Sequence, residues 1–190
     1  PQLSVQRGGN YPLVVTGGPC MGNSEPIAHF YDVGVIGDGE ESIIALCKIL
    51  EKMKQKKESK KHTLEELSTI DCFYIPQFNK EIERGIFVVP QIDRPIKAAK
   101  IRGLKENNYP ENQLVPLVEI VHNRLAVEVM RGCTQGCRFC SAGIYYRPVR
   151  ENSIRSIVNQ IVSGSYSTGW KDISLLSLST ADYSCFSFLL

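Results

Sequence analysis

Between Arg131 and Gly143 the chain reads RGCTQGCRFCSAG, which sets Cys133, Cys137 and Cys140 in the order Cys-x3-Cys-x2-Cys. Thiolates grouped this closely are metal ligands by chemistry. A structural zinc site closes with four ligands. The loop offers three, with His122 upstream and no histidine between Ser141 and Gln160. A ferredoxin-type site brings a fourth cysteine nearby, or a distal one followed by proline. Cys185 is the downstream candidate, and it sits in YSCFSFLL without that proline. Burial of three structural thiols fits poorly with a loop that also holds Gly132, Gly136 and Gly143. Beside these readings stands a ligand set left incomplete on purpose. Three thiolates can hold three irons of a 4Fe–4S cluster, with an open position on the fourth iron that a small molecule bearing an amine and a carboxylate could chelate.

Such a loop needs elements to present it. Ahead of it, Leu125, Val127 and Val129 alternate with Ala126, Glu128 and Met130, a strand pattern, and LVEIVHNRLAVEVMRG holds two strand-like stretches. Behind it, Ile154, Ile157, Val158, Ile161 and Val162 recur at helical spacing, with Gly164 as the expected stop. DISLLSLS, Asp172 to Ser179, is the next strand. The unit is strand, cysteine loop, helix, strand, so the loop lies at the C-terminal end of a parallel strand, where barrels and open α/β sheets place their chemistry.

The first half has its own grammar. PLVVTGG and VGVIGDGEE read as buried strands ending in glycine turns. Asp38 is placed to cap a helix from about Glu40, with Ile43, Ile44, Leu46, Cys47 and Leu50 on one face. Strand, helix, strand, helix predicts an α/β fold with part of a doubly wound sheet. Thr63 and Glu66 have capping-box spacing. CFYIPQFN and GIFVVPQID read as edge strands broken by proline. Residues 103 to 116 read as a linker.

The whole chain sets bounds. Its 190 residues carry a net charge of +2 and 43% hydrophobic residues, which points to neither a nucleic acid nor a membrane partner. Seven cysteines, an odd number, argue against a disulfide framework and for a reducing, cytoplasmic setting. Cys20, Cys47 and Cys72 stand alone and read as small buried hydrophobes. No apolar run approaches the roughly 20 residues that span a bilayer. Lacking an initiator Met, and stopping just after a strand, the sequence reads as a piece of a longer protein.

Spacing, the aromatic Phe139 before the last cysteine, and the strand–loop–helix setting resemble the signature of the radical S-adenosylmethionine (radical SAM) enzymes. The resemblance implies that Cys133, Cys137 and Cys140 ligate a 4Fe–4S cluster, with S-adenosylmethionine at the open iron. It further implies reductive cleavage of that cofactor to a 5′-deoxyadenosyl radical. Phe139 would pack near the adenine or simply within the loop. An electron donor such as flavodoxin or ferredoxin follows from the same chemistry. Many members carry a Gly-Gly-Glu stretch after the second strand; here SLSTADY stands there, so no residue takes that role. The fold so implied begins a partial TIM barrel with its first βαβ part.

Upstream, PLVVTGGPCMGNSEPIAHFYDVGVIGDGEESI resembles the back half of a cobalamin-binding domain. The layout as a whole is similar to a group of uncharacterised bacterial radical SAM proteins, with distant similarity to methylthiotransferases. That resemblance divides the chain into a cobalamin-binding-like segment at 1–60, a connecting region at 61–122 and the start of a radical SAM core at 123–190. It makes Gly17 and Gly18 candidates for cobalamin contact, beside the plainer reading of both as strand-to-helix turns. Seven lysines between Lys48 and Lys61 read as a solvated face, with RNA phosphates as the sharper alternative. The competing classes are a cluster-bearing electron-transfer module, if Cys185 closes the site, and a structural zinc fold.

Overall fold

A computed structural model describes residues 1–91, 94–104, 109, 110 and 112–189. Part of the expected linker, residues 105–108 and 111, and Ile92 and Asp93 at the end of GIFVVPQID, lie outside the described residues. The chain is mixed α/β with small sheets, and it divides into two units, Pro1–Ile101 and Arg102–Leu190.

In the first unit, β1 (Val15–Thr16) pairs parallel with β2 (Val33–Val35), Val15 opposite Val33. β3 (Phe73–Tyr74) pairs antiparallel with β2, so the sheet is mixed, in the order β1-β2-β3. α1 (Gly39–Gln55) and α2 (Lys60–Ser68) pack on one another, and Leu46, Leu64 and Leu67 meet Val33 and Phe73 in the core. Each such side chain, fully buried, contributes about 1.5–3 kcal/mol of transfer free energy. β4 (Lys80–Arg84) and β5 (Phe87–Gln91) form an antiparallel hairpin, of which the sequence pattern showed only the second strand.

Several expectations here need correction. α1 buries Ser42, Leu46 and Met53, while Ile43, Ile44 and Cys47 are exposed. The buried stripe is thus rotated from the expected face: Leu46 enters the core with the sheet and α2, and Ala45, Ile49 and Leu50 pack beside it. Asp38 occupies the cap position of α1, but its side chain makes no cap bond; Oδ2 accepts the Ile101 amide at 2.9 Å. Thr63 caps nothing, since α2 begins three residues earlier. Ser59 is the cap, accepting the His62 amide, and Thr63 Oγ1 donates back to the Ser59 carbonyl. Cys72 is buried as expected, but Cys20 and Cys47 are exposed.

A buried charge cluster ties this unit together. Asp32 is fully buried. Its carboxylate accepts hydrogen bonds from Arg7 at 3.2 Å and from the Val14 amide at 2.8 Å, and pairs with Lys60 Nζ at 2.7 Å. Burial alone would raise the Asp32 carboxyl, yet the bonds from Lys60, Val14 and Arg7 hold it below its ordinary value.

In the second unit, β6 (Leu125–Glu128) pairs parallel with β9 (Ile173–Leu176), in register from Leu125–Ile173 to Glu128–Leu176. β7 (Met130–Arg131) pairs antiparallel with β8 (Arg150–Glu151). α3 (Ala142–Tyr145) follows the cysteine loop, and α4 (Ile154–Thr168) joins the two parallel strands. The expected strand–loop–helix–strand order is therefore present, and the crossover through α4 is what two parallel strands require. Leu125, Val127 and Val129 are completely buried with Ile157. Tyr183 closes this core, donating from its hydroxyl to the Asn152 carbonyl at 2.8 Å, and burial raises its pKa.

Gly164 does not end α4. The helix runs on to Thr168 and stops at Gly169, whose φ of 76° is the left-handed cap. Gly164 instead faces Leu125, where a Cβ would stand 2.8 Å from a Leu125 methyl; it lets helix and strand approach. Val158 and Val162, expected on the core face, are exposed. The first strand-like stretch is no strand: Leu117, Val118 and Val121 are exposed there.

Candidate metal-binding loop and adjoining cleft

β6 and β7 deliver the chain to the loop, and Gly132 turns it. This residue is buried at φ 93°, and a Cβ would lie 3.0 Å from the Tyr146 carbonyl oxygen and from Val149 Cα. Only glycine combines that conformation with so close a backbone approach. Cys133 and Cys140 are half-buried and Cys137 is exposed; none is in a disulfide. All three thiols remain reachable from solvent, as a glycine-bearing loop implied.

Local bonds shape the loop. The Cys140 amide donates to the Cys137 carbonyl at 3.1 Å. The Gln135 amide donates to Cys133 Sγ at 3.5 Å. Gln135 Nε2 reaches across to Asp182 Oδ2 at 2.7 Å, in the 3-10 turn that follows β9. Hydrogen bonds from Gln135 and Ser179 hold the Asp182 carboxyl below its ordinary value. Phe139 is 93% exposed, so it is not packed within the loop.

Beside the loop, at the C-terminal ends of β6 and β9, lies a cleft of about 430 Å³. Met130, Gly132, Tyr146, Leu176, Ser177 and Leu178 are among its lining residues. Glu128 and Arg131 also face it, joined by two hydrogen bonds of 2.8 and 2.9 Å. Tyr109 donates to Glu128 Oε2 at 3.0 Å. Polar groups thus sit at one end of a mostly apolar space, a common form for a small-molecule site. Ser177 and Thr180, two of the hydroxyl residues of SLSTADY, bond to each other at 2.7 Å.

The structure gathers the three loop cysteines on one segment but does not converge them. Among the described residues, no three His, Cys, Asp or Glu side chains are grouped to hold a metal ion. Cys185 packs against the Leu125–Ile157 core. The donor chemistry nonetheless fits an iron–sulfur cluster: three uncommitted thiols, close in sequence, at the C-terminal end of a parallel strand. Gly17 follows directly on β1. Gly18, at φ 103°, serves the turn from β1 into the 3-10 segment Pro19–Asn23.

The lysine run is partly committed: Lys52 pairs with Glu66, Lys61 with Glu65, and Lys60 with buried Asp32. Among the described residues no helix is long and apolar enough to cross a membrane.

Sequence reasoning missed the Gln135–Asp182 bond, which spans 47 positions and leaves no local signal. The Glu128–Arg131 pair did leave one, an acid and a base three residues apart at a strand end.

Residues 1–76 match the family of radical SAM proteins, N-terminal. This match supports a place in the radical SAM superfamily. An uncharacterized protein of Methanocaldococcus jannaschii is 25% identical over 173 residues, covering 90% of this chain and 32% of that protein. The chain therefore spans about a third of the length of that relative. No solved structure matches.

Proposed function

We propose that the chain carries the cluster-binding start of a radical SAM iron–sulfur enzyme. Cys133, Cys137 and Cys140 would hold a 4Fe–4S cluster, and S-adenosylmethionine would occupy the adjoining cleft. The carrying observation is the Cys-x3-Cys-x2-Cys loop with none of the three cysteines in a disulfide and none fully buried. Independent support comes from the family match, which rests on residues 1–76 and so owes nothing to the cysteines.

When bound, the cluster supplies one-electron chemistry, the reductive cleavage of S-adenosylmethionine. The chain's own residues prepare the place. Gly132 turns the loop toward the strand ends. Met130, Leu176 and Leu178 keep the cleft wall apolar, which excludes water from a reactive site. Arg131 neutralises Glu128, so that a carboxylate is tolerated beside those apolar groups. Phe139, exposed beside Cys140, is available to cover an adenine.

In this reading residues 1–60 begin a partial doubly wound segment, 61–122 complete its sheet with β3 and lead onward, and 123–190 open the radical SAM core. β6, α4 and β9 are then the first βαβ part of a partial barrel. A flavodoxin- or ferredoxin-type donor reduces the cluster in a reducing, cytoplasmic compartment.

Anaerobic reconstitution with iron and sulfide tests the reading. About four irons per chain are expected, with an electron paramagnetic resonance spectrum of the reduced cluster that changes when S-adenosylmethionine is added. Four irons with an unchanged spectrum would support the electron-transfer reading instead. Bound zinc with no cluster would refute the proposal.

A further inference from the structure

We propose that Gln135 and Asp182 are a positioning pair for the Cys133 ligand. The proposal rests on the metal-binding reading of Cys133, Cys137 and Cys140. Two bonds meet at Gln135. Its backbone amide points at Cys133 Sγ, 3.5 Å away, and its side-chain amide is held by Asp182 at 2.7 Å. Gln135 lies between the first two cysteines, in the longer of the two spacers. Its anchor belongs to a different element, the 3-10 turn Thr180–Asp182 after β9. Ser179 adds a bond to the Asp182 carboxylate, so the acceptor is itself oriented. No other bond from the Cys133–Cys140 segment reaches as far along the sequence among those described.

The physical consequence is preorganisation. A glycine-bearing loop exposed to solvent samples many shapes, and metal binding must select one. A carboxylate that fixes Gln135 removes part of that freedom in advance and keeps an N–H directed at the first thiol. Hydrogen bonds to sulfur also tune a metal site, and loss of such supporting partners costs about 10–100-fold in metal affinity. Asp182 touches neither metal nor substrate in this scheme and acts through Gln135.

The test uses the 190-residue chain, reduced and metal-free, titrated with Co(II) alone. Thiolate-to-cobalt charge-transfer absorption reports affinity, and mass spectrometry after alkylation reports which cysteines the metal protects. Asp182→Ala and Gln135→Ala should each weaken Co(II) by about 10-fold or more. The double variant should lose no more than either single one, as two members of one interaction do. Asp182→Asn, which keeps an acceptor, should recover most of the affinity. Both residues are surface-accessible, and an unchanged circular dichroism spectrum confirms folding. If wild type gains protection at all three cysteines but Asp182→Ala binds within about twofold of it, the positioning role is refuted while the metal site stands. Losses that add in the double variant also refute it. If wild type shows no charge-transfer band, this proposal falls, and the cluster reading is decided separately by the iron reconstitution.

Discussion

Replacing Gly132 by alanine should damage the second unit far more than the same change at the other loop glycines. The left-handed φ of 93° costs a non-glycine residue about 1–2 kcal/mol. The added methyl also meets backbone on three sides: Tyr146 O and Val149 Cα at 3.0 Å, and Pro148 O at 3.1 Å. Backbone atoms cannot rotate aside as a side chain would, so overpacking adds about 1–3 kcal/mol. The sum is about 2–5 kcal/mol for Gly132→Ala. Gly136 also has positive φ, 64°, but open space around it, so its cost is the conformational part alone, about 1–2 kcal/mol. Gly143 lies in α3 with nothing near its Cβ position, and alanine there should be neutral or stabilising by up to about 1 kcal/mol. Trp170, the single tryptophan, packs against the second unit's core, so its fluorescence during urea unfolding reports that unit alone. With a slope of about 1–3 kcal/mol per molar urea, Gly132→Ala should lower the midpoint by roughly 1 M or more. A Gly132→Ala midpoint no lower than that of Gly136→Ala would refute the close-approach argument.

Four further outcomes are expected. Asp32→Ala leaves the Arg7 and Lys60 cations buried without their carboxylate, and should cost the first unit about 3–5 kcal/mol, read by circular dichroism during urea unfolding. Because the folded-state pKa of Asp32 is depressed, its contribution is present at neutral pH. It fades as pH falls below the ordinary carboxyl value of about 3.9, so Asp32→Asn should flatten the acid limb of a stability–pH curve. Gly164→Val drives a branched side chain into Leu125 and should lower the Trp170-detected midpoint by the equivalent of about 1–3 kcal/mol. Cys185→Ser should leave iron content after reconstitution unchanged, whereas serine at Cys133, Cys137 or Cys140 should abolish cluster formation; iron loss in Cys185→Ser would reveal a fourth ligand.

What the sequence disclosed, and what it hid, follows from the range of each interaction. The parallel β6–β9 pair and the helix between them were legible because Leu125, Val127 and Val129 alternate and Ile154, Ile157 and Ile161 recur at helical spacing. The spacing of Cys133, Cys137 and Cys140 is likewise local. Boundaries were less legible. Ser59 outcompeted Thr63 as cap because the lysine-rich segment preceding it is itself helical from Lys60. Gly164 looked like a stop, yet a close neighbour in another element, Leu125, explains it better. The rotation of α1, which exposes Ile43 and Ile44, depends on where α2 and the sheet lie, and no window of sequence contains that. The Asp32 cluster joins positions 7, 14, 32 and 60, so Lys60 looked like one more lysine of a solvated face when read alone.

The second unit keeps its stability and its chemistry in different atoms. Val127 is completely buried, while its neighbour Glu128 points to the cleft, as the alternation of a strand demands. The core of Leu125, Val129, Ile157 and Tyr183 contains none of the loop thiols. Serine in place of a loop cysteine therefore removes a proposed ligand without opening a cavity, and thermal stability of the metal-free chain should stay near wild type while iron is lost. Gly132 is where the two roles meet: it is buried against backbone, and it directly precedes Cys133, the first of the proposed ligands. Iron content and stability should thus fall together for Gly132→Ala and separately for the cysteine variants. That contrast would be absent if the thiols were core residues, because each serine would then lower the melting temperature as well.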